Sequence, residues 1–272
     1  IKDFEPRTVV VQNYLIPAVE ELVYRTARSS GTRIVMVVHD HRHHTLLSGT
    51  HLGLKNQIRS ADAVVCHSRF VAREVLRSTG RKPTIIPLPP PLGVLAARQP
   101  YGSVLPELEP GKLRAVHLGV LSRRSGKGTD VVVEIAKRKP VGLEMVFLGS
   151  GAPIVEGAIT IDGFLDAGVL TQAVSSASLA LLPYRFASQS GVIPLCQALG
   201  VVPVVTNVGG LSEQVDHGRT GFIMSENSTT DDWLSLLRNL NVKTLDEMTT
   251  YMMEDSDRRL AEFGEQSLLV VN

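Results

Sequence analysis

Between Leu181 and Ile223 the chain reads LLPYRFASQSGVIPLCQALGVVPVVTNVGGLSEQVDHGRTGFI, and this succession of textures restricts the fold more than any other stretch. An apolar run, Leu179 to Leu182, meets a polar loop of small residues from Arg185 to Gly191. A helix-like run from Val192 to Leu199 follows, closed by Gly200, and a β-branched segment, Val201 to Thr206, opens into Gly209-Gly210 ahead of another helix start. Strand, loop, helix, strand, glycine turn and helix in that order place two polar loops at the C-terminal ends of parallel strands. Open α/β sheets bind their ligands there.

The same alternation runs through the rest of the chain. Strands are predicted at Thr8–Val11, Arg33–Val38, Ala61–His67 and Thr84–Pro87. Helices are predicted from Ile16 to Ser29, stopped by Gly31, from Leu52 to Ser60, and from Arg69 to Ser78, capped by Ser68. Seven prolines between Pro87 and Pro110 then interrupt the pattern. Proline fixes φ and removes a donor, so this stretch reads as a stiff linker, and the domain boundary is placed at residues 98/99. After it come strands at Lys112–Gly119, Leu143–Leu148, Ala158–Ile161 and Ser178–Leu182, and helices at Val131–Lys137 and Leu170–Ser176. Gly218 to Phe222 reads as a turn and short strand, and Thr229 to Asn272 as helix, with Trp233, Leu236, Leu237 and Leu240 on one face. Strands and helices alternating in this way predict right-handed βαβ units. The 272 residues allow one large or two medium domains. With 43% hydrophobic but only 5% aromatic residues, the core must be built of Val, Leu, Ile and Ala, as in parallel sheets buried on both faces.

A formal charge of +1 gives no global attraction to nucleic acid. No apolar run approaches the roughly 18 residues that cross a bilayer. Cys66 and Cys196 each lie in an apolar segment, which predicts buried free thiols in a reducing compartment and leaves too few cysteines for a cysteine-based metal site. The chain opens at Ile1 without a signal-like segment, on residues that read like the middle of a domain. The expectation is a cytoplasmic protein, and this opening is compatible with a missing N-terminal portion.

Two polar clusters are candidates for chemistry. His39-Asp40-His41-Arg42-His43-His44 follows the strand Arg33–Val38. A metal site is disfavoured because no second cluster of Asp and His accompanies it. His39, at the strand tip, is read as a polar group facing a cleft, with a solvated basic loop as the alternative. The second cluster, LSRRSGKGTD from Leu121 to Asp130, sits between a strand and a helix start. Backbone N–H groups, the helix dipole and Arg123, Arg124 and Lys127 would together favour an anion. Neither the Walker A spacing nor the dinucleotide glycine trio is present. A solvated basic turn fits this loop nearly as well.

ADAVVCHSRFVAREV, LSRRSGKGTD, LEMVFLGSG and above all LLPYR…SGVIPLCQALGVVPVVTNVGGLSEQV…GRTGFI resemble the family-four retaining glycosyltransferases of GT-B fold. The resemblance implies two Rossmann-like domains with parallel sheets facing across a cleft, residues 1–98 on the acceptor side and 99–272 binding a nucleotide-diphosphate sugar, with the last helix crossing back. It further implies that His39 lies over the sugar and that Lys127, with Arg123 or Arg124, holds the donor diphosphate. Ser190 and Gly191 would offer backbone N–H groups to phosphate, and Gly209, Gly210 and Glu213 form the glycine-turn motif. The two glutamates usual across the loop and helix are replaced by Ala187 and Leu195. Ser188, Gln189 and Ser190 offer neutral hydrogen bonds instead, as in an SQSGV-type variant of the family. The implied reaction is sugar transfer with retention, without metal or cofactor, to a saccharide, lipid-linked glycan or small molecule. Peripheral association with a membrane stays open. A GT-B-like binding module without transfer is the alternative; a sugar-nucleotide 2-epimerase and a dinucleotide oxidoreductase rank below it. Arg185 is read as an ion-pair or phosphate residue, Glu213 as a helix-start carboxylate or a ligand, Tyr184 as a cover for the sheet end, and Trp233 as core.

Overall fold

The computed structural model describes residues 6–12, 17–40, 50–93, 104–122 and 126–271. The chain divides into two compact units, one of Ile1–Leu88 with Ala261–Asn272 and one of Pro89–Leu260. The division falls ten residues before the expected boundary at 98/99, and the chain's end joins the first unit. The linker's last part is docked rather than free. Leu105 is buried, and the carbonyl of Pro106 accepts a hydrogen bond of 2.6 Å from Arg114.

In the first unit β1 (Thr8–Val11), β2 (Arg33–Val38), β3 (Ala63–Cys66) and β4 (Thr84–Ile85) form a parallel sheet in that order. The unbroken apolar run of β2 is explained by its pleat. Ile34, Met36 and Val38 enter one core cluster and Val35 and Val37 another, so both faces of the sheet are covered. Helices α1 (Pro17–Ser29), α2 (Thr50–Ser60) and α3 (Arg69–Thr79) make the connections. Ser68 caps α3 by accepting the Val71 N–H at 3.2 Å, and Gly80, at φ 74°, closes it in the left-handed conformation.

In the second unit the strands are β5 (Leu113–Leu118), β6 (Leu143–Gly149), β7 (Ala158–Asp162), β8 (Leu179–Leu182), β9 (Val202–Thr206) and β10 (Phe222–Met224). They form one parallel sheet in the order β10-β9-β8-β5-β6-β7, the doubly wound arrangement that reverses between β5 and β8. The connecting helices are α4 (Thr129–Lys137), α5 (Ala167–Ser175) and α6 (Val192–Ala198). The helix expected after Gly209-Gly210 is only a 3₁₀ turn, Ser212–Gln214. Leu211 and Val215 are both buried in the core, and Val215 returns to extended backbone to get there. The C-terminal stretch forms α7 (Thr230–Asn239), closed at its start by a Thr229–Asp232 capping box, and the long α8 (Val242–Val271). Trp233 and Leu237 are core residues, with Leu236 and Leu240 packed against the same cluster. Leu245, Met248 and Met252 of α8 join that core, while Phe263 and Val270, near its end, pack on the Val35–Val65 cluster of the first unit.

Arg114, 2% exposed on β5, shows how a charge is accommodated in such a core. It pairs with Glu144 and donates to Ser176 Oγ (3.0 Å) as well as to Pro106. Cys66 and Cys196 are buried free thiols whose pKa burial pushes up to about 12. Among the described residues no helix is long and apolar enough to cross a membrane.

Candidate functional site

In the second unit the ligand-binding position of a doubly wound sheet is the mouth between β5 and β8. Glycines let the backbones crowd together there. A Cβ on Gly149, at the end of β6, would lie 2.2 Å from the carbonyl oxygen of Gly119 at the end of β5. The loop after β5 then crosses the loop after β8, where the Arg185 N–H donates to Gly126 O at 2.9 Å.

Lys127 stands at this crossing. Its Nζ lies 3.9 Å from the centre of the Tyr184 ring, a cation–π contact. Burial lowers its pKa below the usual lysine range. An ammonium group held against an aromatic face and poorly hydrated is a strong partner for an anion. Tyr184 does cover the sheet end, at 1% exposure. Its phenol pKa is raised by burial, with Ser190 acting in the opposite sense. Arg185 pairs with Asp130 in the first turn of α4, and both side chains are more than half exposed, so the pair is worth little to stability. Arg123 and Arg124 lie outside the described residues.

Beneath Lys127 sits His117 of β5, fully buried. Its Nδ1 is 2.7 Å from Leu181 O, a pure acceptor, so Nδ1 carries the proton and Nε2 accepts from the Thr129 hydroxyl at 3.1 Å. This neutral tautomer ties β5, β8 and the start of α4 together. Burial lowers the His117 pKa from 6.5 to about 4, with Leu181 opposing and Lys127 adding to the shift. Because the folded value is the lower one, the native state disfavours protonation. Its contribution is present above pH 6.5 and is lost as pH falls towards 4. Stability should therefore drop by about 3 kcal/mol from this residue across that window. Urea midpoints at several pH values would show it as a slope that His117→Gln flattens.

The loop Ala187–Gly191 is fastened to the glycine turn. Gly209 has φ 54°, and a Cβ there would fall 1.7 Å from Ala187 O, while the Gly210 N–H donates weakly to the same oxygen at 3.4 Å. Ser190 is clamped by a residue the sequence did not single out. The Ser190 N–H donates to Gln214 Oε1 (2.9 Å) and Gln214 Nε2 donates to Ser190 O (3.0 Å). The Ser190 N–H expected to meet phosphate is thus occupied by a side-chain amide. Gly191 and Glu213 are exposed, and Ser188 and Gln189 half-buried. Ala187 is half-buried, whereas Leu195 is a core residue at 4% exposure.

In the first unit, His39 and His67 stand one residue past the paired ends of β2 and β3, where Val38 registers with Cys66. Their rings lie 5.1 Å apart. Desolvation, and then His67, lowers the His39 pKa. Desolvation also lowers that of His67, whose Nδ1 donates to Ile86 O at 2.7 Å. The signal for His67 was a polar residue directly after the buried run AVVC, at the same strand-tip position as His39. His41, His43 and His44 lie outside the described residues, and among the described ones no group of three or more His, Cys, Asp and Glu is placed to hold a metal. In the second unit a cavity of about 410 Å³ lined by Glu109, Lys112, Lys139 and Glu144 opens where β5 and β6 begin, at the end of that sheet opposite Lys127.

Residues 113–240 match the family model for glycosyl transferases group 1. The chain is 33% identical over 147 residues to D-inositol 3-phosphate glycosyltransferase of Paenarthrobacter aurescens, covering 45% of this chain and 35% of that protein. It is 33% identical over 110 residues to granule-bound starch synthase 1 of Pisum sativum, covering 35% of this chain and 18% of that one. The matches thus span about a third or less of these relatives. Anabaena HepE in complex with UDP-glucose superposes with a TM-score of 0.71 at 14% identity, over 94% of this chain and 76% of that one. Sucrose-phosphate synthase from Thermosynechococcus elongatus does so with a TM-score of 0.73 at 14% identity, over 97% and 72%. Likeness at this identity speaks for architecture: the fold is GT-B.

Proposed function

We propose, from a glycosyl transferases group 1 domain at residues 113–240 of a GT-B fold, that the chain is a retaining glycosyltransferase. It takes a sugar from a nucleotide-diphosphate donor to a saccharide, a lipid-linked glycan or a small molecule. The observation that carries this reading is the Lys127 ammonium at the mouth of β5 and β8, poorly hydrated and seated on Tyr184. As the bond from the sugar's anomeric carbon to the diphosphate breaks, the electron pair leaves on the diphosphate. Lys127, with Arg123 or Arg124, supplies positive charge where that negative charge grows, in place of a metal ion. The acceptor hydroxyl attacks from the face the leaving group vacates and passes its proton to the departing phosphate oxygen. Gly209, Gly210, Ser188, Gln189 and Glu213 line the sugar and nucleotide side, Ser190 and Gly191 the diphosphate side. In the first unit His39, steadied by His67, is the group proposed to orient the sugar. No further cofactor belongs to this reading. A cytoplasmic location does, with peripheral membrane association where the acceptor is lipid-linked.

One observation favours a second reading, a nucleotide-sugar binding module without transfer. At the positions of the two usual glutamates stand Ala187 and a buried Leu195, so no carboxylate is available from either. Thermal unfolding with UDP, GDP, ADP and their sugars, followed by a donor-hydrolysis assay, separates the readings. A cognate nucleotide at a hundred times its Kd should raise Tm by roughly 5–10 °C. Stabilisation with sugar release supports the transferase, and stabilisation without release supports the module. No stabilisation by any of them overturns both.

A further inference from the structure

We propose that Gln197 and Gln214 are positioning residues for the donor loop Ala187–Gly191, held by a side-chain hydrogen-bond relay that begins at Asp255 and Arg259 on α8. The inference rests on the donor-site reading above and adds to it residues that touch no donor.

Gln197 is a primary amide, 5% exposed, in a helix whose neighbouring residues Leu195 and Cys196 are core. A buried amide left without partners costs about 1–3 kcal/mol, so its place there needs a reason. Both ends of Gln197 are satisfied. Its Nε2 donates to Gln214 O at 2.9 Å and to Thr220 O at 3.3 Å, and its Oε1 accepts from Arg259 Nη1 at 3.2 Å. Arg259 is in turn fixed by Asp255, whose Oδ2 lies 2.5 Å from its Nε. Burial opposes ionisation of Asp255, but Arg258 and Arg259 outweigh it and hold its pKa below the usual carboxylate value. The guanidinium is planar, so an Arg held at Nε by one partner presents Nη1 to the next in a fixed direction.

At the other end, Gln214 grips Ser190 through both its N–H and its C=O. Gln197 holds the backbone carbonyl of that same Gln214. The order is therefore Asp255, Arg259, Gln197, Gln214, Ser190, each step a hydrogen bond between groups with little freedom. An apolar residue would fill the Gln197 site as well. What a connected polar network adds is a single preferred arrangement of the parts it joins. The part at its end is the loop carrying Ser188, Gln189 and Ser190.

The test uses Arg259→Ala, which changes a half-exposed residue far along the relay, and Gln197→Leu, which cuts it in the middle. Amide exchange at Ser190 is followed by NMR, and affinity is measured for whichever of UDP, GDP and ADP the wild-type chain binds tightest. Both variants should accelerate Ser190 exchange while amides of the central strands, such as Val116 and Leu148, keep their protection. Both should weaken nucleotide binding by about five- to tenfold, and the double variant should be no worse than the poorer single one, as for groups acting in series. Exchange and affinity equal to wild type in Arg259→Ala would overturn the relay, as would effects that simply add. A wild-type chain that binds none of the three nucleotides overturns the donor-site reading instead, a case recognised because Ser190 exchange still answers to Arg259→Ala.

Discussion

Lys127→Ala should lower turnover of the cognate nucleotide-sugar by about 10²–10³-fold, the usual consequence of removing one group aimed at developing charge. The expectation follows from where Lys127 stands. It sits between Gly126 and Gly128, both with left-handed φ, and its ammonium is 3.9 Å from the Tyr184 ring centre at the reversal point of the sheet. The substitution removes the charge without touching the glycines that shape the loop, so the fold should persist. Unchanged donor affinity and unchanged turnover in Lys127→Ala would sink the assignment. The effect has a pH signature as well. Burial makes Lys127 easier to deprotonate than an ordinary lysine, so donor affinity should begin to fall at a lower pH on the alkaline side than the lysine norm. Bound diphosphate favours the charged form and should move that fall upwards. Lys127→Arg, which stays ionised, should remove the alkaline fall.

Much of this was legible in the chain because parallel strands buried on both faces have few ways to be written. RIVMVV and LEMVFL both became strands, and the stops at Gly31 and Gly200 both adopt left-handed backbone. The glycine-rich loops could be placed at strand ends because a turn after a buried strand needs residues free of a Cβ. Gln214, Gln197 and His117 were not legible. Each acts through partners far off in sequence, such as Ser190 and Leu181, and a lone Gln or His carries no local mark of who will meet it. The 3₁₀ turn at Ser212–Gln214 was missed for a related reason. Its length is set by burial of Leu211 and Val215, which local helix propensity does not register. The departure at Leu195 was visible at once, but its depth in the core was not: a glutamate there would now face apolar neighbours.

Gly128→Ala should be strongly damaging for so small a change, and comparison with Gly126→Ala shows why. Both glycines have left-handed backbone, φ 67° and 69°, so each alanine carries the same strain of roughly 1–2 kcal/mol. The surroundings differ. At Gly126 the new Cβ meets the ring edge of Phe186, 2.3 Å away, but that side chain is 61% exposed and can swing aside. At Gly128 the Cβ would lie 1.9 Å from the carbonyl oxygen of Pro183, which belongs to the backbone leaving β8. That backbone cannot yield alone. Tyr184 O accepts from the Thr206 hydroxyl at the end of β9, and the Arg185 N–H is bonded to Gly126 O. Relief therefore requires the two loops to part. This separates Lys127 from Tyr184 and pulls Thr129 from His117. Gly128→Ala is expected to lose ~4 kcal/mol or more, in the range reserved for strain at special backbone positions, and Gly126→Ala about 1–2 kcal/mol. Urea denaturation of the two variants beside wild type measures the gap. Equal losses would show that the two loops are not locked at Gly128, and the support for Lys127 would then have to lie elsewhere.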